Sequence, residues 1–156
     1  MCYHYFMEIY KGAQTRYQIG YHVVWGVKYH KQLLNNTMKK FLAETIKEIC
    51  TCYDFYFMCI GIAPNHIHLF AGAPPKIAPA KMVQVIKSIS AREMFKNFPQ
   101  IKKQLWGGEI WKDGYYVGTV GEGQTEAIIT EYLKKQDQEE CEIERAKYLK
   151  QLKLFH

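Results

Sequence analysis

The hydrophobic pattern changes period several times along the chain, and each change marks an element. From Arg16 to Tyr29, "RYQIGYHVVWGVKY" is β-branched and aromatic and predicts a long strand. Met38, Phe41, Leu42, Thr45, Ile46 and Ile49 then recur at helical spacing, predicting a helix capped by Asn36 or Thr37 that runs through about Cys52. "YDFYFMCIGIA" and "NHIHLFAGA" follow as two adjacent strands joined at Ala63-Pro64-Asn65, which reads as a hairpin. A second helix opens at Pro79 and reaches about Lys96, with Met82, Val85, Ile86 and Ile89 as its apolar stripe. "EIWKDGYYVGTV", residues 109–120, predicts a strand pair or a bent strand around Asp113-Gly114. After "GEG", Ile128, Ile129, Tyr132, Leu133 and Gln136 share one face of a third helix, and the charged tail continues or restarts a helix.

This order predicts an α+β domain of the ferredoxin-like, split βαβ kind. Helices pack on an antiparallel sheet, and a C-terminal helix carries Tyr132. With 156 residues and 48% apolar content the chain is expected to form one domain, residues 1–156. Residues 1–15 are aromatic without a clean period and stay unassigned, as do residues 141–156. A fold of this kind hosts many functions, so the site must decide.

Composition narrows the setting. The net charge of +6 suits a polyanionic partner. Its distribution says more: residues 76–103 hold seven basic residues against one acid, Glu93. On the second helix Lys81, Ser88 and Arg92 fall together at one border of the apolar stripe. With Lys87 these cations could follow a phosphate backbone, or they could simply be a solvated helix face. Five cysteines without a CxxC pair fit neither a disulfide framework nor a four-thiolate zinc site, and point to a reducing interior. The longest uncharged stretch, Phe55 to Pro75, is broken by Pro64, Asn65 and two histidines, so it reads as strands rather than a membrane span. No basic region followed by an apolar run opens the chain, so a cytoplasmic protein is expected.

The candidate chemistry lies in His66-Ile67-His68. Strand side chains alternate between faces, so the two imidazoles are neighbours on one face. Neutral imidazole is a common metal ligand, but two donors do not complete a site. The alternative is one histidine in the core and one in solvent. Tyr132 and Gln136 lie one turn apart on the third helix, and the Gln136 carbonyl can ligate a hard cation. A phenol, with a pKa of about 10, can be activated as a nucleophile and can leave again, which suits reversible strand breakage. Taken alone, Tyr132 on the apolar stripe of a helix reads as packing, and Tyr115 and Tyr116 are among its rivals as nucleophile.

"YHVVWGVKYHKQLL", "GIAPNHIHLF", "VIKSISAREMFKNFP", "LWGGEIWKDGYYVGTVG" and "EYLKKQ", in this order from about Arg16 to about Gln136, resemble the single-tyrosine HUH transposases of small bacterial and archaeal insertion sequences. The resemblance implies that His66 and His68 are metal ligands, Tyr132 the nucleophile and Gln136 the residue completing the metal site. It implies Mg²⁺ or Mn²⁺ as cofactor and single-stranded DNA with hairpins at element ends as substrate. It also implies a 5′-phosphotyrosine intermediate and a homodimer whose tyrosine helix can serve the partner subunit. Lys81, Lys87 and Arg92 would then contact the DNA, with Trp106 or Trp111 stacking on bases. Two other readings are a domesticated HUH endonuclease acting on repeated chromosomal hairpins and a non-catalytic single-stranded nucleic-acid-binding module.

Overall fold

The structure, a computed structural model, describes residues 9–120. Tyr132 and Gln136, with the helix expected to carry them, lie outside the described residues, as do 1–8 and the tail. A short ladder, β1 (Tyr10–Lys11) against β2 (Arg16–Tyr17), precedes the main sheet. The long strand expected over residues 16–29 is therefore divided: β3 occupies only Tyr21–Gly26. The chain steps aside at residues 18–20, where the Ile19 carbonyl closes over Gly72. A Cβ at Gly72 would stand 2.1 Å from that oxygen, so only glycine fits beneath it.

Helix α1 (Asn36–Cys52) has the expected extent but a different cap. Asn35 Oδ1 accepts from the Met38 amide at 2.9 Å, one residue before the positions favoured by the sequence. The hairpin forms as expected from β4 (Tyr56–Ile62) and β5 (His66–Gly72), with a bulge in β4 between Phe57 and Cys59. Helix α2 (Pro79–Asn97) begins with proline in its first turn. Beyond it, residues 109–120 resolve as a bent strand, not a pair. Trp111 bridges Val27, the chain turns at Gly114 (φ +78°), and β6 (Tyr116–Thr119) rejoins β3.

The main sheet runs β4-β5-β3-β6 with every neighbour antiparallel, and helices follow β3 and β5. This is the βαββαβ arrangement of a ferredoxin-like fold. Alternation assigns Val23 and Trp25 of β3, Ile60 and Ile62 of β4, and Ile67 and Leu69 of β5 to one face. Leu42 and Ile46 of α1 and Met82 and Ile86 of α2 bury against them in a single core. Each such aliphatic contributes roughly 1.5–3 kcal/mol on burial. Cys50 and Cys52 are free thiols, whereas Cys59 is disulfide-bonded, which the odd cysteine count did not foretell. Among the described residues no helix is long and apolar enough to cross a membrane.

Candidate functional site

The site lies on the sheet face turned away from the helices. His66, His68 and Phe70 of β5 project there beside His22, Val24 and Gly26 of β3, with Tyr116 and Gly118 of β6 along the edge. His66 and His68 are both half-buried, and their ring centroids stand 5.1 Å apart. The alternative of one histidine in the core and one in solvent does not hold. His66 Nδ1 lies 2.6 Å from Asn65 Oδ1, to which it donates, so Nε2 carries the lone pair. Burial lowers the His66 pKa and favours the neutral ring that a metal requires.

A third histidine joins them. His22 Nε2 and His68 Nδ1 are 2.9 Å apart, and the His22 ring stacks on Phe70 at 4.5 Å with an interplanar angle of 2°. Burial lowers the His22 pKa too. Sequence reasoning overlooked His22 because it belongs to no local motif. It sits 46 residues before His68 and meets it only through the β3–β5 register.

The donor set suits a divalent metal in part. Two neutral imidazoles on one strand face can share an ion, yet no group of three or more His, Cys, Asp or Glu able to hold one occurs among the described residues. Gln136, the further donor expected from the sequence, lies outside the described residues.

The expected DNA-contacting cations take different places. Helix α2 packs on the opposite face of the sheet from the histidines, and there Lys81 and Arg92 are exposed. Lys87 is engaged: its ammonium donates to the carbonyls of Lys112 at 2.8 Å and Gly114 at 2.9 Å, holding the bend before β6. Burial lowers its pKa.

The two tryptophans also separate. Trp111 is core, with Nε1 donating to Ser90 Oγ at 3.1 Å. Trp106 is 87% exposed, in a loop turned by Gly107 (φ +88°) and Gly108 (φ +72°). The Tyr29 hydroxyl donates to the Trp106 carbonyl at 3.2 Å, and Lys31 Nζ donates to the carbonyl of Gln104. Tyr29 (φ +60°) and His30 (φ +53°) both adopt the left-handed region, an uncommon pair for non-glycine residues. This segment leaves β3 beside His66, since Gly26 is the register partner of His66 and the Val27 amide donates to the Asn65 carbonyl at 2.8 Å. The loop that carries Trp106 is thereby tied to the segment that leaves β3.

The sheet is a βαββαβ one with paired histidines on its helix-free face, and comparison gives the family. The model of the family described as "Transposase IS200 like" matches residues 15–136, and the chain belongs to that family. The resemblance read from the motifs is thus borne out over nearly the same span. Among its relatives is the ISDra2 transposase TnpA of Deinococcus radiodurans, 35% identical over 134 residues, covering 86% of this chain and 95% of the relative. The transposase for insertion sequence element IS200 of Salmonella typhimurium is 27% identical over 128 residues, covering 82% and 83%. The crystal structure of a Deinococcus radiodurans R1 protein described as a transposase superposes with a TM-score of 0.69 at 34% identity, covering 82% of this chain and 98% of that one. A REP-associated tyrosine transposase solved with a REP hairpin shares the fold at 13% identity, with a TM-score of 0.56, covering 84% of this chain and 70% of that one.

Proposed function

We propose that this transposase cuts and rejoins single-stranded DNA at insertion-sequence ends through Tyr132, as one domain spanning the chain. The observation that carries the reading is the histidine pair: His66 and His68 share one strand face, and each has its Nδ1 within hydrogen-bond distance of a neighbour, so that Nε2 would be the ligating atom. His66, His68 and Gln136 would hold Mg²⁺ or Mn²⁺. When bound, the ion polarises the scissile phosphate, neutralises its charge and orients it for in-line attack.

Tyr132 loses its phenolic proton to solvent and its oxygen bonds to phosphorus. The bond from phosphorus to the 3′ oxygen breaks, and that oxygen takes up a proton as a free 3′-hydroxyl. The 5′-phosphotyrosine keeps the bond energy of the diester, so a 3′-hydroxyl can attack it, restore a diester and release the phenol without a nucleotide cofactor. On the protein surface, Trp106 offers an aromatic face to an unpaired base. Lys81 and Arg92, on the opposite side, are available to a duplex stem. A second copy of the chain, acting through its own tyrosine helix, is the partner this reading includes.

The test uses labelled hairpin oligonucleotides from the flanks of the gene, incubated with Mg²⁺, with Mn²⁺ or with chelator and resolved by denaturing electrophoresis. A covalent adduct that requires metal and disappears in Tyr132→Phe is expected, with hairpin binding retained. Binding without an adduct under either metal would instead identify a binding module. An adduct that survives Tyr132→Phe would move the nucleophile to another tyrosine. Mixing Tyr132→Phe with His68→Ala protein reads the dimer: recovery of adduct in the mixture requires a tyrosine serving its partner's site.

A further inference from the structure

We infer that His22 is a positioning residue that fixes the tautomer and ring orientation of His68; this rests on the metal-site reading above. The register places His22 opposite Phe70 and His68 opposite Val24, so the two histidines lie diagonally across β3 and β5 on the same face. Their nitrogens, His22 Nε2 and His68 Nδ1, meet at 2.9 Å.

The His22 ring is itself held. One side lies flat on Phe70 at 4.5 Å, and Tyr116 meets it edge-on at 5.9 Å and 71°. Opposite His22 in the β3–β6 ladder is Gly118, where a Cβ would stand 2.6 Å from the Tyr116 hydroxyl. The missing side chain there leaves room for Tyr116 to lie across the strand and wall His22 in.

The chemical requirement is specific. An imidazole that gives its Nε2 lone pair to a cation carries its proton on Nδ1, and a neighbouring acceptor for that proton sets both the tautomer and the plane of the ring. Asn65 Oδ1 does this for His66 at 2.6 Å. His22 Nε2, acting as acceptor, does it for His68. The two ligands are thus oriented alike, one by the preceding amide and one by an imidazole from the neighbouring strand. If His22 served only as a packing aromatic over Phe70, phenylalanine would replace it without consequence.

The experiment compares full-length wild type, His22→Phe, His22→Gln and His68→Ala. His22→Phe keeps the stacking surface and removes the acceptor, whereas His22→Gln supplies an amide oxygen in its place. Mn²⁺ is titrated without DNA and its free form followed by electron paramagnetic resonance. In the metal-free proteins the His68 tautomer is read from ¹⁵N shifts and two-bond couplings, with a thermal melt on each variant as folding control. His22→Phe is expected to bind Mn²⁺ roughly 10–100-fold more weakly and to lose the Nδ1–H tautomer of His68, while His22→Gln retains both. Wild-type affinity and tautomer in His22→Phe would overturn the inference, as would equal losses in the Phe and Gln variants. His68→Ala tells this failure from that of the underlying reading: if it binds Mn²⁺ like wild type, the metal site itself is misassigned, and the role of His22 falls with it.

Discussion

Ile67 and Leu69 alternate with His66 and His68 along β5, so one strand serves two faces built on different terms. On the helix side, apolar side chains from both helices and three strands fill a core whose stability comes from excluded water. On the other side, histidines keep polar contacts to one another and to Asn65, and Phe70 is buried beneath His22. The core face tolerates exchange of one aliphatic for another of similar volume. The histidine face depends on which nitrogen points where. Stability and chemistry are therefore separable at adjacent residues.

The sharpest separation is the pair Ile67 and His68. Ile67→Ala removes a fully buried side chain and should cost about 2–5 kcal/mol in urea unfolding. His68→Ala, on a half-buried surface, should unfold within about 1 kcal/mol of wild type yet give no DNA adduct. A large stability loss in His68→Ala would show that the two faces are one cooperative core. Next in size is Lys87, whose ammonium ties α2 to the bend before β6. Lys87→Met should lower stability by about 1–2 kcal/mol while leaving the salt dependence of hairpin binding unchanged. A shallower salt slope would instead identify Lys87 as a phosphate contact.

Within the core the two tryptophans give a smaller contrast. Trp111 donates to Ser90, whereas the buried Nε1 of Trp25 has no hydrogen-bond partner among the described residues. Trp111→Phe leaves the buried Ser90 hydroxyl without that donor and should cost about 1–2 kcal/mol more than Trp25→Phe, measured by chemical denaturation. Last, burial pushes the Cys50 thiol up to about 12, so the reactive thiolate is scarce at pH 8, while Cys52 is exposed. Peptide mapping after brief alkylation of native protein should find Cys52 modified and Cys50 intact.

Much of the layout was legible because periodicity reports burial directly. Helix α1, the β4–β5 hairpin and α2 follow from apolar spacing, and the hairpin motif alone placed His66 beside His68. What escaped depends on tertiary contact. Asn35 outcompeted Asn36 and Thr37 as cap because its side chain reaches the Met38 amide. The predicted strand split at residues 18–20 because the Ile19 carbonyl needed the space over Gly72. Lys87 shares the basic run with Lys81 and Arg92, and only the path of the 112–114 bend shows that its ammonium is engaged. His22 required a strand register that no local pattern encodes. Tyr132 and Gln136, singled out by the resemblance, lie outside the described residues.

The alternation along β5 also makes strand registry a heritable quantity that selection on activity can see. A slip of one residue between β5 and its neighbours would send Ile67 and Leu69 to the chemical face and the imidazoles into the hydrocarbon layer. A chain misaligned in this way would lose the histidine cluster and the core together. Scanning single-residue deletions between Pro64 and Phe70 for Mn²⁺ retention would thus read out, codon by codon, how firmly the hairpin enforces its own alignment.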